Sequence, residues 1–385
     1  MGGRVQMLPA SRSLSPPPIF HHHSVSLSLL KSELAFRMLC RRHGATAAYT
    51  PMLHARLFDE AGAYREEHFT TCPADRPLLA QFCGHDPATV LSAALRLAGS
   101  VDAVDLNLGC PQRIARKGRY GAFLMDDPAT VTAIIAALAR GLPVPVTAKM
   151  RVFPDVGRTV AFARALEGAG ASLVAVHGRT RDQKEAAAYA ADWAQIKAVK
   201  AALRVPVLAN GGVLTLADAE ACMAATGADG VLSAIPLLEN PALFSSARSP
   251  EAAADPAAGA LLALEYAGLV SLHPTPPRMV RGHAHRLMGP WLAEFTDLRD
   301  ALGAGGLDGP ALEKVAAECV ARVRATIAAG RTTPIPALSA RALARLAKEE
   351  AIAGAVAEAA REEAALAAIG VVGEKALVER SAACV

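Results

Sequence analysis

The segment Asp105–Leu124, DLNLGCPQRIARKGRYGAFL, concentrates the residues that could do chemistry. A strand pattern delivers Asn107, Gly109 permits a tight turn, Cys110 follows, and Pro111 fixes the chain after it. Cysteine is most often a small buried apolar residue. On a loop at a strand end, flanked by Gly and Pro, Cys110 reads as a reactive thiol instead. A thiol with an ordinary pKa of about 8.5 is mostly protonated near neutrality, so it can donate a proton as well as attack. Immediately downstream, Arg113, Arg116, Lys117 and Arg119 place four cations within seven residues, with Tyr120 and Phe123 beside them. Such a cluster is either a solvated surface loop or a surface for phosphates with aromatics for base stacking.

Further chemistry follows at regular intervals. Lys149 and Arg151 alternate in TAKMR, so both point to one side of a strand, and a lysine there needs an anionic or carbonyl partner. His177 and Arg179 stand in VAVHGRT. Asn210-Gly211-Gly212 ends one strand pattern and Ser233-Ala234 the next, with a short helix expected between Pro236 and Phe244. In a barrel, loops at these two places and a short extra helix commonly hold a phosphate. The expected cofactor is therefore a phosphorylated ring system with Lys149 near its electron-rich edge, and FMN fits that description. No G-x-G-x-x-G follows a strand, so a Rossmann dinucleotide site is not supported. His21–His23 read as an unstructured polar run, and no metal is expected.

These residues need elements to hold them. Strand-like segments recur at Ala45–Thr50, Pro77–Phe82, Val101–Asn107, Val144–Arg151, Ser172–His177, Val205–Asn210 and Gly230–Ser233, and an eighth is expected before Lys31. Amphipathic segments alternate with them at Ala88–Ala98, Pro128–Arg140, Gly157–Gly168, Trp193–Ala202 and Leu216–Thr226, and another helix runs over Lys31–Arg42 with Ser32 as its N-cap. Eight strands in little more than 200 residues predict an α/β protein with a TIM (β/α)8 barrel and a smaller C-terminal helical domain. Gln81, Asn107, Cys110, Lys149, Arg151, His177, Arg179 and Asn210 all fall at or just past strand C-termini, which a barrel gathers on one face.

The expected domains are a disordered leader with an altered first strand (1–31), the barrel (32–248), a helical domain (260–348) and an Ala/Glu-rich tail (349–385). The chain has 385 residues, 52% hydrophobic, so a large aliphatic core is available and a disordered chain is excluded. A net charge of +4 permits a polyanionic partner without demanding one. Seven cysteines without a C-x-x-C pair argue against a disulfide scaffold and a structural zinc site. No apolar run is long enough to span a membrane. A cytoplasmic or nuclear location is expected, with organellar targeting a weaker reading of the acid-free first 32 residues.

Seven ordered motifs resemble the tRNA-dihydrouridine synthases, most closely the eukaryotic branch acting on D-loop uridines 16 and 17. They are SELAFRMLCRRHGATAAYTPMLHARLF, QFCGHDP, DLNLGCPQRIARKGRYGAFL, TAKMR, HGRTRDQK, LANGGV and ENPALF. The resemblance runs from about Ser32 to Phe244, and more faintly over Glu265–Asp300. It implies reduction of a tRNA uridine by FMN recharged by NADPH or NADH, in a monomer. It also implies that Gln81, Asn107, Lys149 and His177 contact the flavin, and that Asn210, Gly211, Gly212, Ala234 and Ile235 hold its phosphate. Cys110 would be the catalytic acid. Arg113, Arg116, Lys117, Arg119, Arg151 and Arg179, with the helical face Arg278, Arg281 and His285, would meet tRNA. Two stretches depart from the family pattern. SVSLSLL stands where an Ala-Pro-Met-Val-like first strand is usual, and Ile235-Pro236 stands where an acidic residue or Gly-Arg is usual. Two other readings are a flavin-deficient tRNA-binding protein and an FMN barrel acting on a free pyrimidine.

Overall fold

A computed structural model describes residues 24–27, 32–183, 190–246, 252 and 254–330. Eight parallel strands form its sheet: β1 (Ser24–Leu27), β2 (Ala47–Tyr49), β3 (Leu78–Cys83), β4 (Ala103–Leu108), β5 (Val146–Arg151), β6 (Leu173–His177), β7 (Val207–Asn210) and β8 (Gly230–Ser233). Neighbours pair in sequence order, and β1 also pairs with β8, Val25 opposite Val231, which closes the ring. The two-residue strand Leu53–His54 extends the ladder beside the top of β3. The architecture is the expected TIM barrel. The expected leader differs from the structure at its end, because Ser24–Leu27 is the eighth strand: an alternating Ser/Val/Leu run satisfies the ladder without a Pro-Met pair. Residues 1–23 and 28–31 lie outside the described residues.

Strand parity divides the core in two. Ala47, Tyr49, Leu79, Ala103, Leu173, Ala175, Leu208 and Leu232 pack together inside the ring. Their strand neighbours, among them Leu78, Ala80, Phe82, Val104 and Leu106, face outward into the layer shared with the helices. Because side chains alternate, Gln81, Asp105, Asn107, Thr147, Lys149, Arg151, His177 and Asn210 share the inward parity. They form the polar upper layers above the apolar plug.

The barrel helices begin where short polar side chains can take up free backbone N–H groups. Asp86, Asp127, Asp155 and Asp192 each accept from the backbone three residues on, and Thr215 with Asp218 completes a capping box. Ser32 does not do this. The first helix, Leu34–Arg42, has Glu33 at its N-cap, and Ser32 Oγ donates instead to the Tyr49 carbonyl at 2.7 Å, tying the helix entry to β2. Behind that helix, Arg37 and Arg41 converge on Asp75, which is wholly buried.

Beyond the barrel the expected helices are found at Ala258–Leu272, Pro277–Leu287, Gly289–Leu292, Thr296–Gly303 and Gly309–Ala328. They pack on the barrel through Phe36, which lies 4.0 Å from His283 in a stack and edge-on to Tyr266, and through a 2.8 Å bond between His283 and Glu33. The tail 349–385 and the last part of the helical domain, from residue 331, lie outside the described residues.

Candidate active site

The register of the sheet brings the inward polar residues side by side. Gln81 pairs with Asp105, Asn107 with Lys149, Arg151 with His177, and His177 with Asn210. At the β3–β5 side these residues are hydrogen-bonded to one another. Gln81 Nε2 donates to Asp105 Oδ2 at 2.9 Å, Thr147 Oγ1 donates to Asp105 Oδ1 at 2.6 Å, and Asn107 Nδ2 donates to Gln81 Oε1 at 2.7 Å. Asn107 Oδ1 then accepts from the backbone N–H of both Gly109 and Cys110 at 3.0 Å. The turn that carries the thiol is therefore tied by a side chain to the strand that delivers it.

Cys110 sits in a small apolar cluster with Cys83, Ala115 and Tyr120, against Met52 and Phe123. Only 7% of it is exposed. Gly121 lies over the turn with φ +65°, where a Cβ would stand 2.7 Å from the Cys110 carbonyl oxygen, so this position needs glycine both for its backbone and for the close approach. Burial raises the Cys83 thiol to about 12 and the Tyr120 phenol to about 12, so both stay protonated around neutrality. Tyr120 stands edge-on to His54 at 5.4 Å.

Three cations share the mouth. Burial first, and the Arg151 guanidinium second, lower the Lys149 ammonium to about 8. Lys149 Nζ lies beside Gly109 and has no hydrogen-bonding acceptor among the described residues. Arg151 is 7% exposed: its Nε donates to the Gly109 carbonyl at 2.7 Å and its Nη1 to the Thr180 carbonyl at 2.8 Å. It braces the Cys110 turn from below, and burial lowers its pKa to about 10. Arg179, 8% exposed, places Nη1 3.1 Å from His177 Nε2. Desolvation, Lys149, Arg151 and Arg179 hold the His177 pKa well below its usual value, so the ring is neutral and Nε2 accepts from Arg179.

The loops after β7 and β8 are joined. Asn210 Nδ2 donates to the Leu232 carbonyl at 2.6 Å and Ser233 Oγ to the Val213 carbonyl at 3.2 Å. Gly211 and Gly212 have φ of +104° and +79°. Ala234 precedes the short helix Ile235–Glu239; Ile235 is 56% exposed, and Pro236 offers no N–H. The structure thus gathers Gln81, Asn107, Lys149, His177, Arg151, Arg179 and Cys110 at one mouth and sets Asn210–Gly212 beside Ala234.

This geometry tests an FMN site. Gln81 and Asn107 each keep a second amide N–H beyond the bond they make to Asp105 and to each other, and Lys149 adds an ammonium. Three donors side by side without acceptors suit the acceptor-rich edge of an oxidised ring, and they would suit an apolar or cationic ligand poorly.

Residues 29–274 match the protein-family profile for dihydrouridine synthase (Dus). That is more than half of the chain. The chain belongs to the dihydrouridine synthase family. Among its relatives, a rat protein described as tRNA-dihydrouridine(16/17) synthase NAD(P)(+)-like is 47% identical over 73% of this chain and 63% of its own length. A fission-yeast (Schizosaccharomyces pombe) tRNA-dihydrouridine(16/17) synthase is 42% identical over 71% of each chain. A mouse relative described as tRNA-dihydrouridine(20a/20b) synthase NAD(P)+-like matches at 36% over 56% of this chain and 66% of its own. The chain thus spans less than two thirds of the rat relative.

Some members of this site were not singled out by motif reading. Asp105 and Thr147 hold the Gln81–Asn107 pair, and Thr50 Oγ1 accepts from the Gln81 backbone at 3.0 Å. Parity would have found the first two: a charged residue two before Asn107, and a threonine two before Lys149, must face the same interior. Nothing in the sequence spacing marks Thr50.

The four cations after the turn lie on the short helix Arg113–Lys117 and the residues that follow it. All four are exposed and make no ion pair among the described residues. Arg119 has φ +54°, an unusual conformation for a residue with a side chain. On the helix Pro277–Leu287, Arg278, Arg281 and His285 lie along one face; Arg278 pairs with Glu67 at 2.5 Å, and Arg281 Nε donates to the Leu302 carbonyl at 2.7 Å.

Proposed function

We propose that this chain reduces the C5–C6 double bond of a D-loop uridine in tRNA, using FMN replenished by NADPH or NADH, with Cys110 as the proton donor. The observation that carries the reading is the Cys110 thiol, tied through Asn107 to the strand end that also presents Lys149, in a chain of the dihydrouridine synthase family. Bound at this mouth in its reduced form, FMN supplies the hydride to C6. The chain's own groups do the rest. Gln81, Asn107, Lys149 and neutral His177 hold the ring and its side chain; Asn210, Gly211, Gly212, Ala234 and Ile235 hold the phosphate. Lys149 brings positive charge toward the ring edge, where electron density gathers on reduction.

The uracil enters over Cys110, with Tyr120 and Met52 beside it. Hydride at C6 leaves enolate-like charge spread over C5 and O4, and a proton must reach C5 from the side of the thiol. An apolar setting shared with Cys83 and Tyr120 keeps water from competing as the donor. Arg151 and Arg179 keep the mouth positive, while Arg113, Arg116, Lys117 and Arg119 meet the phosphates flanking the uridine; Arg278, Arg281 and His285 form a second, weaker contact. The protein works as a monomer on this reading.

Purified protein carrying FMN absorbs in the blue. Cys110→Ala is expected to keep that absorbance and its tRNA affinity while dihydrouridine formation falls by at least about 100-fold, the scale of a lost proton donor. Full activity in that variant refutes the acid role; a colourless wild-type protein refutes the flavin.

A further inference from the structure

Asp105 is the one acidic side chain among the inward polar residues of β3 to β7, and it is fully buried. It touches neither the Cys110 turn nor Lys149 through a hydrogen bond. The register sets it between Gln81 on one side and Thr147 on the other, and each of its oxygens accepts one bond from them. A carboxylate accepts and does not donate, so it decides which end of the Gln81 amide faces it. The NH2 group must point to Asp105. That leaves Oε1 for Asn107, whose own NH2 must meet it, and Asn107 Oδ1 is thereby turned to the N–H groups of Gly109 and Cys110. Reversing either amide would set donor against donor at the next contact, in a buried place where an unmade bond costs about 1–3 kcal/mol.

We propose that Asp105 is a positioning residue: it fixes the orientation of the Gln81 and Asn107 amides in series and so holds the Cys110 turn in place. The chain of contacts is four residues long and passes from β4 to β3 and back, so a change at Asp105 is read at Cys110 without any contact between them. Burial raises the Asp105 pKa to about 6 against the opposing pull of Thr147, Gln81 and Lys149. It is therefore mostly ionised at neutral pH and keeps its acceptor-only character. The groups facing it are Gln81 from β3, Thr147 and Lys149 from β5, and Tyr49 from β2, whose buried hydroxyl has no partner among the described residues. The same two amides would face the flavin ring, so one carboxylate below the ring would orient both the cofactor's donors and the acid's turn.

The proposal rests on Cys110 being the proton donor, and the test separates the two. In Asp105→Leu the rate at which iodoacetamide alkylates Cys110, measured by peptide mass spectrometry against Cys83 as internal reference, is expected to rise at least tenfold. This holds in flavin-loaded and flavin-stripped protein alike. The kcat for dihydrouridine formation is expected to fall at least tenfold with KM for tRNA within twofold, and the melting temperature to fall only modestly, because loss of a desolvated charge offsets part of the cost of the donors left on Gln81 and Thr147. Asp105→Asn keeps an acceptor oxygen for Gln81 while its NH2 meets the Thr147 hydroxyl, which can accept; it should restore both readouts to within threefold of wild type. Asp105→Val carries the same expectation as leucine should leucine fail to fold. Cys110 reactivity within twofold of wild type in a folded apolar variant overturns the proposal, as does an asparagine variant as impaired as leucine. Loss of the fold in both apolar variants overturns it too, since the carboxylate would then support the barrel and not the turn. The alkylation arm needs no uridine reduction. Wild-type protein that forms no dihydrouridine therefore refutes the catalytic reading while still deciding on Asp105.

Discussion

The short helix Arg113–Lys117 and the longer helix Pro277–Leu287 each present a row of cations, but in different surroundings. Around Arg113, Arg116, Lys117 and Arg119 no acid lies within ion-pair distance among the described residues, and all four side chains are exposed. On the second helix, Arg278 is held by Glu67, Arg281 caps the carbonyls of Leu302 and Ala304, and His285 is half-buried beside Arg281 and Arg299. Counterions released from a polyanion are the main source of its affinity, and a cation already neutralised by its own protein releases fewer. On the proposed reading the loop beside Cys110 makes the stronger phosphate contact, and the helix, with its cations held by its own protein, the weaker one. Strain points the same way: Arg119 is held at positive φ, which costs about 1–2 kcal/mol for a residue with a side chain.

This contrast can be broken in order of effect. Replacing Arg113, Arg116, Lys117 and Arg119 together by Ala should weaken tRNA binding about 100-fold at physiological salt and lower the slope of log K against log salt by about 3. Filter binding at several salt concentrations checks both numbers, and an unchanged slope would show that the loop is merely solvated. Arg119→Gly should weaken binding about fivefold, one phosphate contact's worth. It should also raise stability by about 1 kcal/mol through relief of the backbone, read in thermal melts. A charge reversal at Arg278, Arg278→Glu, is expected to cost about threefold, because that charge already faces Glu67 in an exposed pair.

The smallest effect belongs to His285. Burial first, then Arg281 and Arg299, keep its pKa below the usual 6.5, so the ring is neutral at pH 7.5 and protonates only below that value. His285→Gln should leave affinity at pH 7.5 within about twofold and abolish whatever gain the wild type shows as pH falls toward 5.5. Because the folded pKa is lowered, the native state binds fewer protons than the unfolded chain below 6.5, so this histidine contributes a loss of stability as pH falls through that range.

Much of this was legible in the chain. Seven of the strands, five of the barrel helices and the convergence of polar residues on strand ends follow from period-2 and period-3.6 patterns, and Asp or Thr at the helix starts marks where they begin. The patterns misled at Ser32, whose hydroxyl found a better acceptor on β2 than on its own helix. The eighth strand expected before Lys31 is found at Ser24–Leu27, where it closes the ring against β8. In both cases the partner is distant in sequence, and no local spacing encodes it.

The amino-acid order determined which residues could react and that alternate positions share a side, since both follow from covalent geometry and side-chain chemistry. Only the folded barrel decided which cations are spent and which remain exposed, and which carboxylate orients which amide. Those outcomes depend on what lies within about 3 Å across neighbouring strands, a distance set by register and closure.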